Sequence, residues 1–576
     1  MCGICGFIGF KEPGLIEKMI SATHHRGPDD QGYYEDDRVT LGHNRLSIID
    51  LSSQGHQPIG NEDGSIQVVF NGEIYNFRSL RKKLEGKGYV FKSRTDSEVL
   101  VHGYHAFGEN VVYEIEGMYA FAIWDVKKQK LVLARDPLGI KPLYYFYDAH
   151  QLIFSSEIKA ILCSSHVQKK IQVHMPNVFF YLTHQYSPPQ ETLFSLICKL
   201  EPGHLLTFQQ GHCTRKAFWK LEDASPPDVK NIPETLFQLL ENAVGKMLTS
   251  DVPLGVLLSG GLDSSIVTAL MRPKIRDLHT FTAGFHAEND ELHFSKLVSS
   301  HMGTTHHEFY VDASQVGSLI PKMVWHMDEP LADGGAIATY LIGEHLKQFA
   351  TVILVGEGAD ELFGGYRWHR FSKWRLPHWL WCRANFYFTT YVSASRPWFQ
   401  EQYERYCAQF ESKDSRSLFQ KISHYELTQV LPNHLLMKVD KMTMAHGVEA
   451  RVPFLDRDLV SFVYRLPDHF KVKGWQGKAI LRDLFKSKLP KTIVQRKKQG
   501  FLLPIRQWIE VDLKEMIWDH LNSENAMSLN FLSRSEIQAL GRARSGLKEI
   551  ERTALLWRLF ILELWHDLFF KKSQKS

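Results

Sequence analysis

The sequence predicts two large units of different class: a β-rich N-terminal domain, then an α/β domain built on a parallel sheet with a largely helical C-terminal part. Three observations predict this. Up to about Phe208 the chain alternates short apolar runs with turn residues, the pattern of strands at regular spacing. From about Pro233, apolar runs of strand length are separated by helix-length segments, which is how strand, crossover helix and parallel strand read in sequence. After Tyr366 the patterning is helical as far as Leu568. A chain of 576 residues allows about three to five domains, and the texture reduces these to two. They span 1–208 and 235–570, with a polar, proline-containing connector over 209–234 and a basic tail over 571–576. No internal repeat is visible.

In the first unit, strands are expected over 66–70, 120–125, 131–135, 143–147 and 152–155. The clearest early helix covers 77–86, opened by Asn76 and closed by Gly86. In the second unit a helix over 235–248 precedes a buried strand at 252–258, a glycine-rich turn and a helix at 264–271. Further buried strands follow at 280–285 and 351–355. The aromatic stretch 374–398 comes closest to a membrane span, but Arg375, His378 and Arg383 interrupt it, so its aromatics read as helix-packing residues.

Composition excludes several classes of function. Hydrophobic residues make up 44% and charged residues 23%, ordinary globular usage that rules out a fibrous or mostly disordered chain. The 68 Lys and Arg against 64 Asp and Glu leave a net charge of +4, too little for a nucleic-acid binder that relies on bulk charge. Seven cysteines at irregular spacing form no disulfide framework and imply a reducing compartment. The start MCGICGFIGF has neither a basic n-region nor a long apolar h-region, so no secretory signal is expected and the location is cytoplasmic.

Cys2 follows the initiator Met. Removal of Met1 would leave a thiol beside a free α-amine whose ordinary pKa of about 7.7–8.0 suits a general base, and an N-terminal nucleophile can be activated by its own amine. Cys2-Gly-Ile-Cys5 is also a C-x-x-C, but no second one completes a zinc site. A redox pair ordinarily opens a helix after a strand, which this one does not. The polar clusters His25-Arg-Gly-Pro-Asp29, His43-Asn-Arg45, Asn71-Gly-Glu-Ile-Tyr-Asn76 and Arg94-Thr-Asp96 read as turns between apolar runs.

With Cys2, and with Gly117-Met-Tyr-Ala-Phe-Ala and Arg135-Asp-Pro-Leu-Gly-Ile-Lys-Pro-Leu-Tyr144 further on, these clusters resemble the glutaminase domain of class II, N-terminal-nucleophile glutamine amidotransferases. The resemblance implies an αββα sandwich. It makes Cys2 the nucleophile, with the Asn71 side-chain amide and the Gly72 N–H as oxyanion donors, as an acyl-transfer intermediate requires. Glutamine would be held by Arg45, a bidentate carboxylate binder by geometry, and by Asp96 on the ammonium, with Asn71 and Glu73 assisting.

Val256-Leu-Leu-Ser-Gly-Gly-Leu-Asp-Ser-Ser265 follows a strand and opens a helix, an arrangement whose backbone N–H groups cradle anions. It is neither a Walker A loop nor G-x-G-x-x-G. It resembles the pyrophosphate loop of ATP pyrophosphatases. Gly356-Glu-Gly-Ala-Asp-Glu-Leu-Phe-Gly-Gly-Tyr366 places carboxylates after a second strand, where open α/β sheets bind ligands. With Asp440–Asp456, Gly477-Lys-Ala-Ile-Leu-Arg482 and Arg496-Lys-Lys-Gln-Gly-Phe501, it resembles the synthetase domain of glutamine-hydrolysing asparagine synthetases.

That resemblance implies ATP and Mg²⁺. The nucleotide would lie against Leu257, Leu258, Ser259, Gly260, Gly261, Asp263, Ser264, Ser265, Ala283, Val355 and Gly356. Asp263 and Asp360 would hold Mg²⁺, Glu357 would handle ammonia deprotonation, and Lys478 would steady charge in the transition state. The substrates implied are glutamine and aspartate, and the assembly a homodimer. Two departures stand out. The segment from Asp328 to Thr339 differs from the Thr-rich, Arg-containing version associated with aspartate users and looks more like a bacterial subgroup whose acceptor is another carboxylate, such as a uronic acid of a surface polysaccharide. Val355 also stands where many members have serine.

Overall fold

The structure is a computed structural model. It describes residues 2–571 except 149, 222–229, 285–291, 311–312, 373–380, 385, 387–396, 412–415, 499–503 and 542–548. Most of the aromatic stretch 374–398 and nearly all of the basic tail lie outside the described residues. Trp381 and Trp398 are described: Trp381 is buried, and Trp398 stacks on Phe179 with centroids 5.5 Å apart.

The N-terminal region carries twelve described strands: β1 (Gly3–Ile8), β2 (Asp30–Glu35), β3 (Val39–Arg45), β4 (Ile59–Gly60), β5 (Ile66–Ile74), β6 (Gly117–Asp125), β7 (Lys130–Arg135), β8 (Tyr144–Asp148), β9 (Gln151–Ser155), β10 (Ile197–Lys199), β11 (His204–Gln209) and β12 (His212–Ala217). They form two six-stranded antiparallel sheets, ordered β10-β8-β9-β1-β3-β2 and β12-β11-β7-β6-β5-β4. The two-residue period of a strand explains their stacking. On β1, Ile4 and Ile8 join Leu41, Val69, Ala120 and Trp124 in one apolar cluster between the sheets. Cys5 and Phe7 point the other way, onto the helix Leu15–Ala22. On β5, Ile66, Val68 and Phe70 face the helices Phe77–Glu85 and Glu98–Phe107. Both faces of each sheet are therefore covered, giving an αββα sandwich.

Three local expectations need correction. Asn71-Gly-Glu and His43-Asn-Arg are not turns but the ends of β5 and β3. Their polar residues are buried in register across the sheet, with Asn71 opposite Ala120, so polarity there marks a site instead of a loop. The segment expected as connector begins with β12, paired along its length with β11. The helix Ile232–Lys246 starts inside the same segment, its Asn231 side chain accepting from Glu234 N–H. The helix at 77 has no side-chain cap: Asn76 Oδ1 instead accepts from Glu116 N–H at 2.9 Å.

The second region holds a five-stranded, all-parallel sheet of β13 (Leu254–Leu257), β14 (His279–Gly284), β15 (Thr305–Tyr310), β16 (Val352–Leu354) and β17 (Glu449–Arg451), ordered β15-β14-β13-β16-β17. Strand order reverses between β13 and β16, and in open α/β sheets that switch point is where the C-terminal strand ends leave a crevice. The Ser-Gly-Gly and Gly-Glu-Gly segments leave the sheet there. The described chain beyond Tyr366 is mainly helical, but β17 interrupts it as the fifth strand.

Candidate active sites

In the N-terminal sandwich, Cys2 and Ile4 share the inner face of β1, as Val69, Asn71 and Glu73 share that of β5, and Leu41, His43 and Arg45 that of β3. Parity puts Asn71 and Arg45 on the inner faces, and the bond from the Cys2 nitrogen to Asn71 ties the two sheets together at that end. It also puts Cys2 and Cys5 on opposite faces, which removes the C-x-x-C pair as a redox or metal unit. None of the seven cysteines is in a disulfide.

The Cys2 nitrogen donates to Asn71 Oδ1 at 3.1 Å, and its carbonyl accepts from Arg26 Nε at 3.1 Å. Burial pushes the thiol up, while the Leu46 N–H and the Arg45 guanidinium pull it back. Gly72 is fixed by close approach, since a Cβ there would stand 2.1 Å from the Met118 carbonyl oxygen. Arg45 is anchored by the Ser52 carbonyl at 2.8 Å and by that of Asp50. Asp96 accepts from Ile74 N–H at 2.8 Å, and burial pushes its carboxyl up to about 6. Glu73 points elsewhere: its carboxylate lies 3.3 Å from Arg451 on β17, whose Nε holds Glu449 at 2.6 Å. Two buried carboxylates thus share one guanidinium. Burial and Glu449 raise Glu73 well above the carboxylate range. Glu73 is therefore an interdomain contact, placed by a charged three-residue strand that apolar periodicity does not reveal.

The second site is a cavity of about 580 Å³ at the sheet's switch point. Leu257, Leu258, Ser259, Gly261, Asp263, Ser264, Ala283, Val355, Gly356, Glu357, Asp360 and Lys478 all line it. Gly260 and Ser265 do not. Gly260 packs against Phe294, and the Ser265 hydroxyl is spent on the Gly261 carbonyl at 2.7 Å. The Lys478 ammonium lies between two carboxylates, 2.6 Å from Asp263 Oδ2 and 2.5 Å from Asp360 Oδ1. Lys498 holds the other Asp360 oxygen at 2.7 Å. The two ammoniums outweigh burial and keep Asp360 below the usual carboxylate range. Gly365 lets this cluster close, because a Cβ there would stand 1.7 Å from Asp360 Oδ1 and 2.4 Å from Lys478 Cε. Glu357 is half-buried, its carboxyl raised by burial.

Asp263 Oδ1 is buried without a hydrogen-bond partner. Among the described residues no cluster of three or more metal-ligating side chains exists. Two converging carboxylates with an orphan oxygen fit a divalent cation that takes its remaining ligands from phosphate and water, as Mg²⁺ ordinarily does. Lys498 and Arg496 carry no specific expectation from sequence, although both lie in the 496–501 motif; Arg496 donates to the Gly260 carbonyl at 2.9 Å.

The two sites are joined through buried charge. Arg26 bridges Glu157 at 3.0 Å and Asp440 at 2.9 Å. Arg451 reaches Glu73 with its side chain while its carbonyl accepts from Val355 N–H, on the cavity wall, at 2.9 Å. No described helix is long and apolar enough to cross a membrane.

Comparison with known proteins agrees with both halves. The family model for the glutamine amidotransferase domain matches residues 1–219, and that for asparagine synthase matches 235–567. Asparagine synthetase [glutamine-hydrolyzing] 1 of Bacillus subtilis is 31% identical over 99% of this chain and 97% of its own length. A putative asparagine synthetase of Methanocaldococcus jannaschii is 38% identical over 64% of this chain and 76% of its own. Another, of Mycobacterium bovis, is 30% identical over all of this chain and 98% of its own. The chain belongs to the glutamine-hydrolysing asparagine synthetase family and is a ligase-type amidotransferase.

Proposed function

We propose that the protein transfers the amide nitrogen of glutamine to an ATP-activated carboxylate, with aspartate as the acceptor and asparagine, glutamate, AMP and pyrophosphate as products. The observation that carries this is the pairing, in one chain, of Cys2 held on Asn71 with a glycine loop whose Asp263 meets Asp360 through Lys478.

In the first site the nitrogen now on Asn71 becomes, once Met1 is removed, the α-amine that takes the thiol proton. The thiolate attacks the glutamine amide, and Asn71 Nδ2 and Gly72 N–H stabilise the oxyanion. Collapse releases NH₃ and leaves a thioester, which water hydrolyses to glutamate. Arg45 binds the substrate carboxylate and Asp96 its ammonium.

In the second site the loop Ser259–Gly261 and the N-terminus of the helix Leu262–Met271 cradle the phosphates. Asp263 and Asp360 would hold Mg²⁺, which when bound neutralises the departing pyrophosphate. Lys478 balances charge on the phosphates as the acceptor carboxylate attacks the α-phosphorus. NH₃ then adds to the acyl-adenylate, Glu357 accepts the excess proton, and AMP leaves. Its raised carboxyl suits a group that must accept a proton near neutral pH.

Incubation with Mg-ATP, glutamine and single carboxylates tests the reading. Pyrophosphate and glutamate should appear together, with aspartate the best acceptor. Pyrophosphate released with a uronic acid and not with aspartate would move the protein to the alternative acceptor class.

A further inference from the structure

One peptide of the glycine loop is not oriented by the loop itself. Gly260 and Gly261 are consecutive, so no Cβ on either side sets the direction of the peptide between them. Gly260 is left-handed, at φ +67°. It is pressed so closely on the helix Leu292–Met302 that a Cβ would stand 2.5 Å from the Ser295 nitrogen. The next carbonyl, that of Gly261, is fixed from within the following helix, by the Ser265 N–H at 3.1 Å and the Ser265 hydroxyl at 2.7 Å. The Gly260 carbonyl is fixed from outside.

The outside group is Arg496. Its Nη1 donates to the Gly260 carbonyl at 2.9 Å. Its Cζ lies 3.7 Å from the centroid of the Phe294 ring, the stacked arrangement that a guanidinium favours on an aromatic face. The Arg496 backbone is anchored in turn. Arg482 donates to the carbonyls of Arg496 at 3.1 Å and Gly477 at 3.0 Å, and to that of Val494. Gly477 immediately precedes Lys478. Two arginines thus tie the glycine loop and the backbone beside Lys478 into one frame, and both line the cavity.

A trans peptide is planar, with its C=O and N–H pointing in opposite directions. Holding the Gly260 carbonyl on Arg496 therefore turns the Gly261 N–H the other way, toward Ser259 Oγ at 3.4 Å on the cavity wall. That bond is long and its acceptor is a hydroxyl that can rotate, so an anion entering the cavity can take the N–H over. With the peptide flipped, a carbonyl oxygen would face the same anion and repel it.

We infer that Arg496, laid flat on Phe294, is a positioning residue that holds the Gly260–Gly261 peptide with its N–H toward the ATP phosphates. It acts through the loop on the pyrophosphate end of the nucleotide, and on neither the adenosine end nor the acceptor. This rests on reading the cavity as the ATP site.

The test is pyrophosphate release with Mg-ATP, aspartate and ammonium chloride, for the native enzyme and for Arg496→Met, Arg496→Lys and Phe294→Leu. Loss of one hydrogen bond to a charged group corresponds to about 10–100-fold. Arg496→Met should therefore raise the KM for ATP and the inhibition constant of pyrophosphate together by about that factor. The inhibition constant of AMP and the KM for aspartate should stay at native values. Lysine keeps the charge but cannot lie flat on Phe294, so Arg496→Lys should recover little of the loss. Phe294→Leu should move the same two constants in the same direction by a smaller factor. Guanidinium ion added to Arg496→Ala should bring the KM for ATP back toward the native value. Glutamate release from glutamine reports that each variant folds.

Native constants for ATP and pyrophosphate in Arg496→Met overturn the assignment. So do native constants in Arg496→Lys, because charge alone would then suffice. Equal losses for ATP, pyrophosphate, AMP and aspartate mark general damage to the cavity and overturn it as well, while the proposed function stands. If the native enzyme itself releases no pyrophosphate, with aspartate or with glucuronate, the reading of the cavity falls and the inference with it.

Discussion

The two sites solve opposite problems, and their construction differs accordingly. The cysteine site stands where strand ends of the two stacked sheets meet, with Cys2 just ahead of β1 hydrogen-bonded to Asn71 on β5 and Arg45 closing β3. The Cys2 nitrogen, Asn71, Arg45 and Asp96 there are each held by a backbone or side-chain partner, as would suit one small substrate and one oxyanion. The synthetase site stands on loops around a cavity of about 580 Å³ and holds its charges as ion pairs that a ligand can exchange. A preorganised site works by having nothing to rearrange, whereas a site that admits a nucleotide and then an acceptor needs contacts that can be traded. Mutations should therefore separate the two activities cleanly.

The largest separation is expected from Cys2→Ala. Removing a covalent nucleophile costs roughly 10⁴-fold or more, so glutamine-dependent synthesis and glutamate release should vanish while synthesis from ammonium salts continues. Parallel assays with the two nitrogen sources check this, and loss of both would break the division between the sites. Lys478→Met is the mirror experiment. Without the ammonium between Asp263 and Asp360, pyrophosphate release should fall about 10²–10³-fold with either nitrogen source, while glutamate release in the absence of ATP is retained. Asn71→Ala should lie in the same range, about 10²–10³-fold, but for glutamine alone. It removes the acceptor of the Cys2 nitrogen as well as the proposed donor to the oxyanion, and ammonium-dependent turnover should not move.

The legibility of the molecule in its sequence divides along similar lines. Apolar runs disclose β6, β7 and β13 because burial on both faces leaves no polar residue to interrupt them. The anion loop is legible because glycine and serine between a strand and a helix have few other uses. Asn71 and Arg45 are legible as site residues but not as strand residues, since a buried polar end of a strand looks like a turn. The three-residue strand β17 is not legible at all. Glu449 and Arg451 read as surface charges until Glu73 from the other domain is placed against them. Such an interdomain ion pair has no periodicity, yet removing one partner of a buried pair costs about 3–5 kcal/mol. The ion pair of Asp333 with Lys438 is equally invisible, because its partners stand about a hundred residues apart and no local pattern links them.

The smallest effect bears on the same contrast through pH. Burial pushes the Asp96 carboxyl up to about 6, against the N–H of Ile74 and the Thr95 hydroxyl. As pH falls through about 6 this carboxyl takes up a proton and loses the charge that would hold the glutamine ammonium. The KM for glutamine should therefore rise below pH 6, by about 10-fold per unit, and level off above pH 7. Asp360 behaves oppositely, because Lys478 and Lys498 keep it ionised well below that range. The KM for ATP should accordingly stay level across the pH interval in which the KM for glutamine climbs. Asp96→Asn sharpens the assignment: its KM for glutamine should be high at every pH, with the rise below pH 6 abolished. A rise that persisted in that variant would place the titrating group elsewhere in the glutamine site.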